Sequence, residues 1–306
     1  MNVKNKLKSF LPLLPPILFD KLFYINRYIA FKKYKALVSK NSELKDIHQG
    51  KRGFILGSGP SIKKENLKPL KNEIVFALNN FYVHPDFQEI MGGDVEKYYI
   101  TAPTHLPQTE QEWRNWFIGM EKNMPCNATM IFGLNGYKGN IKYIFDKYNI
   151  FQQHKIYWYF SGVNVGEYYS FNKRHIDIIN MIWAAEAVSV YALIIAIYMG
   201  FNEIILLGMD HDYFLYDDEK EMRMYSSAIH QKDEFKRTFD DSFYIKEFLR
   251  QYRIFCKYAL LQKKYKGKVF NASNGGILKV FPQKKLMSFF DYDEKFIEKS
   301  DYHMDL

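Results

Sequence analysis

The chain has little cysteine: Cys126 and Cys256 are the only two in 306 residues. Two cysteines cannot build a disulfide framework, and their spacing is not that of a zinc site. A reducing cytoplasm is the simple expectation. No run of about 20 apolar residues free of charge occurs, so a transmembrane helix is not expected. There is no Gly-Lys-Ser/Thr after a glycine-rich loop, which excludes a Walker A site, and no third glycine for a dinucleotide fingerprint. No zinc-finger or RNA-recognition motif accompanies the formal charge of +9, so nucleic acid is not an expected partner. An anionic membrane surface and a phosphorylated substrate remain.

What is present is a globular composition, 47% hydrophobic and 25% charged, enough for one large domain with a sizeable core. The 26 Phe and 24 Tyr come with many Lys and Asn, as an AT-rich genome would produce. Residues 1–48 read as a basic amphipathic helical extension. There Leu22, Phe23, Ile25, Tyr28, Ile29 and Phe31 interleave with Lys21, Arg27, Lys32, Lys33 and Lys35. Such a helix lies in a membrane interface or packs on the domain with its lysines in water. Peripheral contact of residues 1–40 with the inner face of the cytoplasmic membrane is the expectation.

Gly53–Leu56 reads as a buried strand, followed at once by Gly57-Ser58-Gly59-Pro60-Ser61. A glycine-rich turn after a first parallel strand brings backbone N–H groups to an anionic ligand. A second strand, Ile74–Leu78, ends in Asn79 and Asn80, and a third, Tyr98–Ile100, ends at Thr101. Polar groups at strand carboxyl ends sit where open α/β sheets bind ligands. The apolar stretch Ala184–Met199, with Ser189 near its start, reads as a buried helix. It leads into the strand Ile204–Leu207, which ends at Gly208-Met209-Asp210-His211-Asp212-Tyr213. A last strand over residues 268–270 is followed by a polar loop containing Asn271 and Ser273. Together these predict a doubly wound, mostly parallel α/β sheet. Asp210, Asp212, Asp217 and Asp218 read as a solvated acidic turn rather than a metal site.

Gly57-Ser58-Gly59-Pro60-Ser61, Asn79-Asn80-Phe81-Tyr82 and the block from Ser189 through Gly200 and Glu203 to Gly208 and Asp210 resemble one family, the small bacterial sialyltransferases that use CMP-activated sialic acid. The loop and the Gly-x-Asp strand end are similar, more widely, to motility accessory factors and an archaeal pterin diphosphokinase. The likeness spans roughly residues 50–285. It implies a modified Rossmann-like, GT-A-like single domain over residues 49–290, with a lid-like insertion at 113–174 over the acceptor and a tail at 291–306. It further implies an inverting transfer of a sialic-acid-like sugar from a CMP-sugar to a glycan or glycolipid acceptor (lipopolysaccharide, lipooligosaccharide or capsule). No cofactor would be obligatory, with Mg²⁺ at most a stimulant; self-association is left open.

On this resemblance Gly57, Ser58, Gly59, Pro60, Ser61, Asn79, Asn80, Thr101, Ser189, Gly208, Asn271 and Ser273 would hold the nucleotide. The family carries Asn where this chain has Ser58. Tyr213 and Tyr216 would meet the leaving phosphate, and Asp210 would orient a ribose or the active-site loop. The general base would be His230, whose place in the order of motifs matches the family's histidine, with His211 as the competing residue. A base must take the proton of an acceptor hydroxyl near working pH, which suits histidine. Two other readings stay open: a phosphate-transfer enzyme on the same fold, and a non-catalytic nucleotide-binding component of polysaccharide assembly.

Overall fold

The computed structural model describes residues 16–162, 176–217, 222–225 and 241–290, with the side chains of residues 16–20 left aside. Its center is one sheet of eight parallel strands. In chain order these are β1 (Arg52–Leu56), β2 (Val75–Leu78), β3 (Lys97–Thr101), β4 (Thr129–Leu134), β5 (Ile156–Ser161), β6 (Met181–Ile182), β7 (Glu203–Leu207) and β8 (Lys268–Asn271). They lie in the order β6-β5-β4-β3-β2-β1-β7-β8, every neighboring pair parallel.

Parallel strands need crossovers, and helices covering both faces leave the strands apolar on both sides. β1 shows this: Phe54 and Leu56 enter one core layer and Ile55 the other. β7 repeats the alternation, with Ile205 and Leu207 opposite Ile204 and Leu206. The first layer is closed by α4 (Glu110–Asn123) and α5 (Ile141–Tyr148), through Trp116, Phe117, Met120, Ile144 and Phe145. The second is closed by α6 (Val188–Tyr198) and α7 (Asp241–Lys264). α6 is buried nearly all round, which is why its sequence is an unbroken apolar run.

The remaining helices are α1 (Pro16–Lys32), α2 (Lys35–Ser39) and α3 (Phe87–Met91). The N-terminal segment joins the domain at its second half. Phe31 packs edge-on to Phe160 with centroids 5.5 Å apart, Val38 is fully buried, and Asn41 donates to the carbonyls of Trp158 and Ile178 at 2.8 and 2.7 Å. Residues 113–162 of the expected insertion build α4, β4, α5 and β5 and are integral to the sheet; residues 163–174 lie outside the described residues.

One buried cation anchors the frame. Lys97 is 1% exposed and its Nζ donates to the carbonyls of Leu70, Lys71 and Glu73 at 2.9, 2.9 and 2.7 Å. Burial lowers its pKa to about 8, which still leaves an ammonium at neutral pH. It caps the carbonyls at the end of the 3₁₀ turn Lys68–Asn72, sharing Leu70 O with the Glu73 N–H at 3.1 Å. Lys97→Met keeps the volume and removes the ammonium donor from all three carbonyls. It is expected to lower the unfolding free energy by about 3 kcal/mol, measured by urea denaturation at pH 7; a loss below about 1 kcal/mol would show the bonds to be incidental.

Candidate functional site

The chain runs outward in opposite directions from β1: β2 through β6 lie on one side, β7 and β8 on the other. Open α/β sheets hold ligands at the carboxyl ends of the strands flanking such a switch point. A cavity of about 890 Å³ lies there. It is lined from the ends of β1 (Gly57, Ser58), β2 (Asn79, Asn80), β3 (Ala102, Pro103), β4 (Asn135), β5 (Ser161) and β7 (Gly208–His211). Trp113 and Trp116 of α4 form one wall. Ser189 of α6, with Tyr213, Arg223, Tyr225 and Arg250, forms another.

The glycines of the β1 loop are there because two backbones touch. A Cβ on Gly57 would lie 2.6 Å from the Gly208 carbonyl, and one on Gly59 would lie 2.5 Å from Asp210 Oδ2 and 2.6 Å from the Gly208 carbonyl. Gly208 itself has φ +64°, a conformation glycine adopts without strain. The amides this loop was expected to offer a ligand point inward instead. Gly57 N–H donates to Leu207 O at 2.8 Å, Gly59 N–H to Gly208 O at 2.9 Å, and Ser61 N–H to Asp210 Oδ2 at 2.8 Å. Ser61 Oγ also donates to Asp210 Oδ1. Among the described residues only Ser58 of the non-proline loop members keeps its N–H and hydroxyl uncommitted, and it faces the cavity.

Of the residues expected at the site, Gly57, Ser58, Asn79, Asn80, Ser189, Gly208, Asp210, His211 and Tyr213 line this one cavity. Gly59, Pro60, Ser61, Thr101, Tyr216, Asn271 and Ser273 do not, and His230 lies outside the described residues. Asn271 is a turn former: its Nδ2 donates to Leu278 O at 2.9 Å and its Oδ1 accepts from Ser273 N–H at 3.0 Å. Ser273 Oγ accepts from Met209 N–H at 2.9 Å, so this pair props the β7 end from behind. Thr101 is fully buried in β3. Tyr216 donates to Asp212 Oδ2 at 3.0 Å.

Asn79 and Asn80 divide their work. Asn80 donates to Tyr225 OH at 2.9 Å and accepts from Trp116 Nε1. It joins the two walls of the cavity. Asn79 sits at φ +47° and its Oδ1 accepts from Ala102 N–H at 3.2 Å, which leaves Nδ2 for the cavity. Asp212 and Tyr225 are buried, as are Trp113 and Trp116 at 9% exposure each. The motifs did not single out Arg223, Tyr225 or Arg250; nothing in their local spacing marks them. Arg223 stacks over the Tyr213 ring, 4.5 Å from its centroid, and donates to its hydroxyl.

His211 is 5% exposed at φ +56°. Burial pushes its pKa down to about 4, so the ring is neutral at physiological pH. The network assigns its tautomer. Gln251 Nε2 donates to Glu247 Oε1 at 2.5 Å, which turns Gln251 Oε1 toward His211 Nδ1 at 2.9 Å. Nδ1 therefore carries the hydrogen and Nε2 a lone pair. Tyr258 OH lies 3.3 Å from Nε2 and is hydrogen-bonded to Ser189 Oγ at 2.6 Å.

No family model and no curated protein matches the chain. Among solved structures it is similar to the sialyltransferase CstII from Campylobacter jejuni with a substrate analogue, cytidine-5'-monophosphate, at 19% identity over 77% of this chain and 85% of that one, TM-score 0.40. It is also similar to an α-2,3-sialyltransferase from Campylobacter jejuni in apo form, at 18% identity over 76% and 80%, TM-score 0.38.

Because its folded pKa lies below the free value of 6.5, His211 resists protonation only when folded. Its contribution is complete above pH 6.5 and is lost as pH falls through 6.5 toward 4. Between pH 7 and pH 5 the wild-type unfolding free energy should therefore fall by roughly 1–2 kcal/mol more than that of His211→Gln. Urea titrations at the two pH values check this; equal losses would mean that the ring charges freely in the fold.

Proposed function

We propose that the chain is a glycosyltransferase that moves a sialic-acid-like (nonulosonate) sugar from a CMP-sugar to a bacterial surface glycan. The observation that carries this is one cavity at the switch point, lined by Ser58 after β1, Asn79 after β2, Ser189 of α6, and Gly208, His211 and Tyr213 after β7. The motif resemblance supplies the nucleotide and the sugar class. About 890 Å³ is ample for a nucleotide-sugar, since pockets for compact ligands run from about 300 to 1,000 Å³.

In this reading the Ser58 N–H and hydroxyl and the Asn79 Nδ2 hold the nucleotide. Arg223, Tyr213 and Arg250 face the phosphate, where negative charge grows as the leaving group departs. Trp113 and Trp116 give the acceptor half an apolar wall. An acceptor hydroxyl attacks the anomeric carbon from the face opposite the phosphate. The new C–O bond forms as the bond to phosphate oxygen breaks, its electron pair leaving with CMP and the configuration inverting. A general base takes the hydroxyl proton. No metal is required by this scheme.

Binding is tested by thermal shift with CMP, CDP, UDP, GDP and ATP. CMP and CDP should raise the melting temperature most, because a ligand that binds only the folded state stabilizes it. Asn79→Asp, which replaces the amide donor with a charge repelling phosphate, should weaken CMP by about tenfold or more. A response confined to ATP with Mg²⁺ would favor phosphate transfer and reject this reading. Saturable CMP binding without turnover would assign a non-catalytic role.

The base is assigned to His230 by the order of motifs. A specific observation supports His211 as the second reading: it lines the cavity, and its ring is held neutral. His230→Ala should lower kcat by about 10²-fold or more, and a near-normal rate would remove it. The pH profile separates the two. A base near the free histidine value gives an acid limb of kcat/KM close to 6.5, whereas His211, held at about 4, would leave the rate level down to about pH 5.

A further inference from the structure

Helix α1 carries two different lines of side chains. Its inner line, Arg27, Ala30 and Phe31, packs on the domain: Phe31 meets Phe160, and a Cβ added to Gly136 would lie 3.1 Å from Arg27 Nη1 and 3.4 Å from Ala30 Cβ. Its outer line is Leu22, Ile25 and Ile29, spaced i, i+3 and i+7 and 49, 52 and 56% exposed. Residues at that spacing share one helical face. Tyr24 and Tyr28, stacked on each other with centroids 6.3 Å apart, are exposed beside it. A run of large apolar side chains left in water marks an interaction surface.

The charges around this face have one sign. From residue 21 to residue 42 the chain holds Lys21, Arg27, Lys32, Lys33, Lys35 and Lys40 and no acid. The five lysines are exposed, and none of them forms an ion pair among the described residues. Lys21 and Lys32 stand one turn before and two turns after Ile25, on the outer face itself. Helix α7 also exposes apolar side chains, Ile245, Phe248 and Leu249, but the exposed acid Asp241 lies one turn before Ile245 and exposed Asp217 accepts from Tyr244 OH at 2.8 Å. Apolar exposure and unmixed positive charge coincide on α1.

We propose that α1 lies along an anionic lipid bilayer, its outer line at the acyl boundary and its lysines at the headgroups, while its inner line stays packed on the domain. Membrane contact and docking, which the sequence left as alternatives, are served by opposite faces of one helix. The bilayer is the occupant that meets both features: acyl chains take Leu22, Ile25 and Ile29, and anionic headgroups take the cations. A second copy would bring its own lysines against these, and a nucleic-acid backbone offers phosphate but no apolar surface for the stripe. No helix among the described residues is long and apolar enough to cross a membrane, so the contact is one of surface seating. It also positions the cavity. Gly136, beneath the inner line, follows Asn135 of the cavity wall, and Asn140 of the same loop donates to Tyr34 OH at 2.7 Å. This part of the rim is held one helix diameter, about 10 Å, from the bilayer.

The test is co-sedimentation of the full chain with vesicles of phosphatidylcholine, with and without phosphatidylglycerol. Wild type should partition about tenfold or more better onto the anionic vesicles than onto the neutral ones. The triple substitution Leu22→Ser, Ile25→Ser, Ile29→Ser should weaken that binding by about tenfold or more. Lys21→Gln, Lys32→Gln, Lys33→Gln together, which leave the apolar line intact, should do the same. All six side chains are exposed, and an unchanged circular-dichroism melting curve shows each variant folded; if the apolar variant melts early, the lysine variant decides. A folded variant of either kind that binds anionic vesicles like wild type overturns the proposal, as does wild-type binding that ignores phosphatidylglycerol. Self-association lost from the apolar variant in light scattering, with vesicle binding intact, would assign the face to a second copy and overturn it too. Vesicle binding without any CMP response would leave the membrane contact standing and reject only the transferase reading.

Discussion

The carboxylate of Asp210 is where the architecture is tied together. It accepts both donors of Ser61, so the loop after β1 is clamped to the end of β7 across the switch point. The clamp draws Gly57, Gly59 and Gly208 into contacts that no side chain would allow. The Asp210 backbone carries the same junction onward: its carbonyl accepts from Ile277 N–H at 2.8 Å, bringing in the loop after β8. Burial raises the Asp210 carboxyl, and the two Ser61 donors act against that rise. Three loops thus share one anchor, and the mouth of the cavity takes its shape from it. Ser58 is left as the residue that the loop presents.

A second device holds the opposite wall. Arg250 donates from Nε and Nη2 to the Glu186 carbonyl at 3.2 and 2.9 Å, and Arg253 grips the Glu186 carboxylate at 2.8 and 2.9 Å. Residues 184–187, which line the cavity, are therefore fixed by α7. The same helix turns Glu247 and Gln251 toward His211 and so decides which imidazole nitrogen carries hydrogen. Buried polar groups of this kind are costly unless fully partnered. The polar inner face of α7 and its apolar outer face are consequences of one choice: the cavity wall needs oriented polar groups, and the helix is turned to provide them.

How legible this was in the sequence depended on how local the cause is. β1, β2, β3, β7 and β8 were readable because strands buried on both faces are apolar runs, and those runs ended in Gly, Asn or Thr. β4 and β5 escaped, as did α4 and α5. Their aromatic residues, among them Trp116, Phe132, Phe145 and Trp158, serve the core, and an aromatic-rich stretch does not say which of its rings pack and which face a ligand. Within the site, Gly57 and Gly208 line the cavity and Gly59 does not, and the loop glycines serve a close approach between backbones. Their amides close the protein upon itself because β7 lies against them, which only the pairing of distant strands reveals. Asn271 and Ser273 failed for a like reason: a polar strand end serves a ligand or its own turn, and partners 64 residues apart settle which.

By itself the sequence determined a parallel α/β sheet, its switch-point loops and a basic N-terminal helix, because periodicity, glycine and charge act over a few residues. The tertiary structure decided which groups face the cavity. It left Ser58 and Asn79 with donors to offer and enlisted Asn80, Ser61 and Asp210 in holding the walls. It also fixed His211 as a neutral ring and turned the apolar side of α7 outward. Each of these follows from hydrogen bonds or burial between segments far apart in the chain, and a polar group's availability is settled only when every competing partner has been placed.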